Sequence, residues 1–143
     1  MKYFTTFVFL CITTLSFSQS DFSKLTISND STYGYTDMNP LRMKKGNHEK
    51  SIDYSIVFLK SLRTDDNQKL LLLQRYTVKD PGHNSSKTQL TNRSTGMPLN
   101  GKLGMLDLYQ FVTSEKRDTV AIYVDIYNKG ELKIPKGLKI SDN

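Results

Sequence analysis

Val120, Ile122, Val124 and Ile126 alternate with Ala121, Tyr123, Asp125 and Tyr127. Only a β-strand, whose successive side chains point to opposite faces, gathers every second residue on one surface. A chain carrying this run must build a sheet with one apolar face, and must then cover that face. The cover is legible upstream. Ile52, Ile56, Leu59 and Leu62 recur at helical spacing, with Tyr54 and Phe58 on the flank of the stripe. Asn47 stands after Gly46 as a good N-cap, and Glu49 falls in the first turn, where the helix dipole favours an acid. Thr64-Asp65-Asp66-Asn67 supplies turn chemistry at the far end. The pattern predicts one amphipathic helix over residues 48–63, packed on one face of a small antiparallel sheet of three to five strands. The fold class is α+β.

The alternating strand pairs with residues 105–113 in a hairpin around residues 114–118. A turn centred on Lys116 would set Leu106, Leu108 and Val112 against Ile126, Val124 and Val120 as the core face. On the other face Tyr109 would meet Tyr123, Asp107 would meet Asp125, and Tyr127 would lie beside Met105. Two carboxylates directly across a ladder repel. Such a pair needs a cation, a shared proton, a bound metal or a slipped register, and Arg75 and Lys133 are the cations on offer. Residues 68–78 read as a further strand, buried on both faces at its leucine-rich start. Residues 24–28 and 132–134 suit short edge strands, the latter next to Pro135. Residues 79–104 are rich in Pro, Gly, Asn, Ser and Thr and nearly devoid of apolar side chains, the composition of a long polar loop.

The N-terminus has the form of an export signal. Met1-Lys2 is a positive start and residues 4–17 are an uncharged apolar and hydroxyl run. Ser16 and Ser18 are small where cleavage before Gln19 requires it. The expected organisation is a signal peptide at 1–18 and a single domain at 19–143, periplasmic or extracellular after cleavage. The run is shorter than the roughly 20 residues a membrane span needs, so no transmembrane anchor is expected. Cys11, the only cysteine, lies inside it, and Leu10 stands where a lipid-attachment cysteine wants a small neighbour. Cleavage leaves a chain with no disulfide, thiol nucleophile or thiolate ligand. About 125 residues support one core but fall short of the at least ~200 of a (β/α)8 barrel. That chain keeps 19 basic against 14 acidic residues. The lysines are scattered and no Arg/aromatic run appears, so nucleic acid is not an expected partner.

Chemistry-bearing motifs are few. His48 and His83 each lack a second ligand at helical spacing, so no metal or cofactor is expected. No nucleophile elbow, P-loop or dinucleotide fingerprint is present. Tyrosine is abundant in a chain without tryptophan, and its amphipathic rings stack on sugars and peptides. Tyr33, Tyr35, Tyr109, Tyr123 and Tyr127 are the candidate binding residues, and Asp107 and Asp125 the candidate catalytic ones. The residues read best as a non-catalytic binding module for a glycan, a peptide or an envelope protein. The alternative is a small hydrolase or lyase using the carboxylate pair.

Tyr33-Gly34-Tyr35-Thr36 with Asn39-Pro40, then Asp107-Leu108-Tyr109, and the ending from Gly130 through Ile134-Pro135-Lys136-Gly137 resemble a group of small exported bacterial proteins of unknown function. The resemblance implies one helix and a final hairpin leading to a Lys-x-Pro-x-Gly end. Some of those proteins carry the label 2-dehydro-3-deoxyphosphooctonate aldolase, an enzyme built as a barrel of about twice this length. That activity is not expected here. Many also hold paired cysteines where this chain reads Arg75-Tyr76-Thr77-Val78-Lys79-Asp80, so a cysteine-dependent role is not implied either.

Overall fold

The computed structural model describes residues 22–82 and 104–141. The expected signal, Cys11, His83 and most of the polar stretch between 79 and 104 lie outside these residues. The elements in chain order are β1 (Leu41–Arg42), α1 (His48–Ser61), β2 (Leu62–Thr64), β3 (Leu70–Lys79), β4 (Met105–Thr113), β5 (Thr119–Asp125) and β6 (Leu138–Ile140). Four strands form one sheet in the order β1-β5-β4-β3. The short β1 runs parallel to β5, and the other pairs are antiparallel. β2 and β6 make a separate antiparallel pair. Phe58 and Leu59 of α1 pack on Leu41, Tyr109, Phe111, Ile122 and Val124, so the helix covers one face of the sheet. The α+β class stands.

The helix begins as expected, with Asn47 Oδ1 accepting the Lys50 N–H at 2.9 Å. It ends two residues early, because Leu62 turns to extended geometry and opens β2. Its buried face is also rotated. Ser51, Ser55, Phe58 and Leu59 are buried, while Ile52 and Ile56 are half-buried at the margin. Small side chains let the helix approach a sheet that presents large rings. Each serine hydroxyl turns back to its own helix, Ser51 Oγ donating to the Asn47 carbonyl at 2.8 Å and Ser55 Oγ to that of Ile52 at 2.7 Å. Neither is left with an unmade hydrogen bond.

The hairpin differs by one residue from the pairing centred on Lys116. Tyr109 faces Ile122, Phe111 faces Val120 and Asp107 faces Val124. The turn has an even number of residues, 114–117, closed by the Thr113 N–H on the Asp118 carbonyl at 2.9 Å, with Arg117 at φ +64°. β5 keeps its expected face and β4 is turned over. Asp107, Tyr109 and Phe111 point toward the helix, and Leu108 and Val112 point away.

β3 is likewise not the doubly buried strand its leucines suggest. It is the sheet's edge, with Leu71, Leu72 and Leu73 exposed. A bulge between Leu72 and Gln74 shifts the register there, which explains why the leucine run has no clean period. Of the two short edge strands expected at 24–28 and 132–134, a single parallel bridge between Ile27 and Ile134 forms.

The segment before β1 is folded by turns. Gly34 sits at φ +80°, and a Cβ there would lie 2.9 Å from Leu41 Cδ2. Only glycine serves at such a position. Its N–H donates to the Asn39 carbonyl and its own carbonyl accepts the Tyr123 N–H, both at 2.8 Å.

Candidate functional site

The two candidate catalytic carboxylates do not meet. Asp107 lies on the helix-covered face and Asp125, buried as well, on the other. Each is already engaged. Asp107 Oδ2 accepts from Arg75 Nη2 at 2.8 Å, and this bond is the main reason the guanidinium holds its proton more tightly than usual. Asp125 Oδ1 accepts the N–H groups of Tyr127 (2.9 Å) and Asn128 (3.0 Å), and Oδ2 accepts Asn128 Nδ2 (2.8 Å). It is a turn cap. Lys133 pairs with Glu131 at 3.2 Å rather than with either aspartate. Among the described residues no group of three His, Cys, Asp or Glu side chains is placed to hold a metal ion.

The five candidate tyrosines also separate. Tyr33 donates to the Glu131 carbonyl and accepts from the Lys133 N–H, both at 3.1 Å. Tyr35 donates to the Lys136 carbonyl at 2.8 Å, and burial, then the Asp65 charge, pushes its pKa up to about 12. Both fasten the C-terminal segment. Tyr109 is 3% exposed in the core, and its hydroxyl lacks a hydrogen-bond partner among the described residues. Burial raises its pKa, eased by the Arg75 guanidinium 5.5 Å from its ring centre. Tyr127 is exposed and stacks on His48 with ring centres 5.5 Å apart. The two line a cavity of about 260 Å³ at the start of α1, together with Lys44, Gly46, Asn47, Ser51 and Ile126. Tyr123 alone remains on the sheet face away from the helix.

That face carries a grouping the sequence reading missed. Tyr76 of β3, Leu108 of β4 and Tyr123 of β5 are direct neighbours in one cross-strand row. The next row holds Gln74, Gln110 and Ala121, with Gln74 Nε2 donating to Gln110 Oε1 at 2.6 Å. At the strand spacing of about 4.8 Å the two tyrosines stand roughly 10 Å apart. Tyr76 is 44% exposed and Tyr123 half-buried, and neither hydroxyl is hydrogen-bonded among the described residues. The bulge hid this row. It moves Tyr76 from the face of Leu70 and Leu72 to that of Leu71, and only a paired register reveals the change.

A second cavity, of about 440 Å³, opens between β5 and the end of the β2–β6 pair. Hydroxyls dominate its polar lining: Tyr35, Thr64, Thr113 and Thr119. Among the described residues no helix is long and apolar enough to cross a membrane. Comparison of the chain with protein-family models, with curated proteins and with solved structures finds no match.

Proposed function

We propose that this chain is an exported, non-catalytic binding module whose sheet face, opposite the helix, takes a glycan. The observation that carries the reading is the row Tyr76, Leu108, Tyr123 beside the paired amides of Gln74 and Gln110. Sugar rings present apolar C–H faces and hydroxyl edges. Aromatic rings match the first, and amides with both donor and acceptor atoms match the second. The surface is a sheet, so it suits a chain laid across it. The carboxylate-pair alternative loses its motif, because Asp107 and Asp125 occupy opposite faces and each serves a structural bond.

The test is a titration of the isotope-labelled domain with soluble β-linked oligosaccharides, read by amide chemical shifts. The expected result is shifts confined to Tyr76, Leu108, Tyr123 and the two glutamines. Tyr76→Ala and Tyr123→Ala should each weaken binding by about 0.5–1.5 kcal/mol, the worth of one aromatic contact. Undiminished binding in the double variant would refute the site, and release of shorter sugars would refute the non-catalytic reading.

A further inference from the structure

The outer edge of β5 is paired over only part of its length. The Tyr123 N–H donates to the Gly34 carbonyl at 2.8 Å, and the Asp125 carbonyl accepts the Met43 N–H at 2.7 Å. These groups point away from β4. The Asp118 carbonyl, by contrast, points toward β4, where it accepts the Thr113 N–H. Alternate residues of an antiparallel strand direct both backbone groups to the same side. Thr119 and Ala121 therefore direct theirs outward with Tyr123 and Asp125, and no strand pairs with them among the described residues. The cavity of about 440 Å³ opens at this stretch, with Thr119, Val120 and Ala121 on one side and Thr64, Gly137 and Leu138 on the other.

We propose that this cleft is a second binding site, in which an extended segment of another protein pairs with β5 along Thr119–Ala121. A strand edge asks for a backbone, and β-strand addition supplies one, with alternate side chains seated in the flanking pockets. Charge selects the occupant. Asp118 is the only charged side chain among the described residues that line the cleft, and it has no ion-pair partner among them. The Asp65 charge acts on Tyr35 at the wall. On the same turn Lys116 feels the Asp118 charge but is tied to Asp66 at 2.6 Å, and Arg117 does not line the cleft. In a chain with a net charge of +6, this is an acidic recess. The occupant is a peptide with a lysine or arginine set to meet Asp118 and small or β-branched residues on either side.

The probe is a blocked hexapeptide alternating lysine with threonine and valine, with a glutamate-for-lysine version as control. In the free domain the amide protons of Thr119 and Ala121 exchange quickly, between slow neighbours at Val120 and Ile122. With the lysine peptide in about tenfold excess over its Kd, they slow about tenfold, since only the free fraction exchanges. Ala121→Pro removes an outward N–H and leaves the ladder to β4 intact, so it abolishes the protection at Thr119, the outward proton that remains. Asp118→Lys, which leaves the backbone alone, weakens binding about two- to fivefold, as expected for a solvent-exposed charge pair. The proposal is overturned if exchange at Ala121 is unchanged at saturation, or if the glutamate peptide binds as well. It is equally overturned if shifts appear at Tyr76 and Tyr123 instead, or if Ala121 is protected by self-association without peptide.

Discussion

Arg75 and Asp107 are unequal partners. The Arg75 side chain is 40% exposed and that of Asp107 only 7%. Asp107→Asn leaves a guanidinium that water can still solvate. Arg75→Met leaves a buried carboxylate without its donor, a loss of about 1–3 kcal/mol. We expect Arg75→Met to destabilise the fold more than Asp107→Asn in chemical denaturation, and the reverse order would show that the aspartate is held by something else. A cation for Asp107 was legible from the sequence as one relief among four, with Arg75 one of two candidates for it. The reason was not. The relief was sought for two facing carboxylates, whereas the guanidinium answers one carboxylate turned into the core. Even-numbered Gln110 and odd-numbered Asp107 put a polar residue on each face of β4, so polarity alone did not decide between the faces.

At the scale of elements, the helix and the strand period were readable because 3.6-residue and two-residue repeats are local properties. Leu59 was expected in the core and is 3% exposed there. Leu59→Ala should cost about 2–5 kcal/mol, measured by urea unfolding. The serines beneath the helix were not readable as a buried face, because their burial depends on the rings opposite them. The hairpin register failed for a related reason: a turn of four residues and one of five can be drawn from the same polar run, and only closure distinguishes them. The turn joining β2 to β3 carries its own pH signature. Hydrogen bonds from Lys116, Thr64 and Gln68 hold the Asp66 carboxyl well below its ordinary value of 3.8. A depressed carboxylate contributes stability that is present above the ordinary value and lost as pH falls through the lowered one. Lys116, raised from 10.5 chiefly by its bond to Asp66, contributes below that pH and loses its share as pH rises through the higher value. In Asp66→Asn, stability measured from pH 6 down to 2 should fall less steeply than in the parent.

For the whole molecule, the sheet's strand order places its most apolar run on the outside. Leu72 is 55% exposed on the edge strand β3, where a ladder unpaired among the described residues invites other strands. Leu72→Lys should change unfolding free energy by no more than about 0.5 kcal/mol while lowering concentration-dependent light scattering. Equal scattering in both proteins would show that the edge is not where copies meet. Strand order was the part of the fold least accessible to sequence, since it is set by contacts between distant residues rather than by any local period. Those contacts also have a consequence in time. Tyr33 and Tyr35 fasten to the carbonyls of Glu131 and Lys136, and Ile27 bridges to Ile134. A polypeptide is synthesised from its N-terminus, so Tyr33 and Tyr35 wait for almost the last described segment before their hydroxyls have acceptors. Nascent chains stopped before residue 131 should therefore be protease-sensitive throughout the Tyr33 segment. Lengthening them until residues 131–138 are free to fold should confer resistance on that segment in one step.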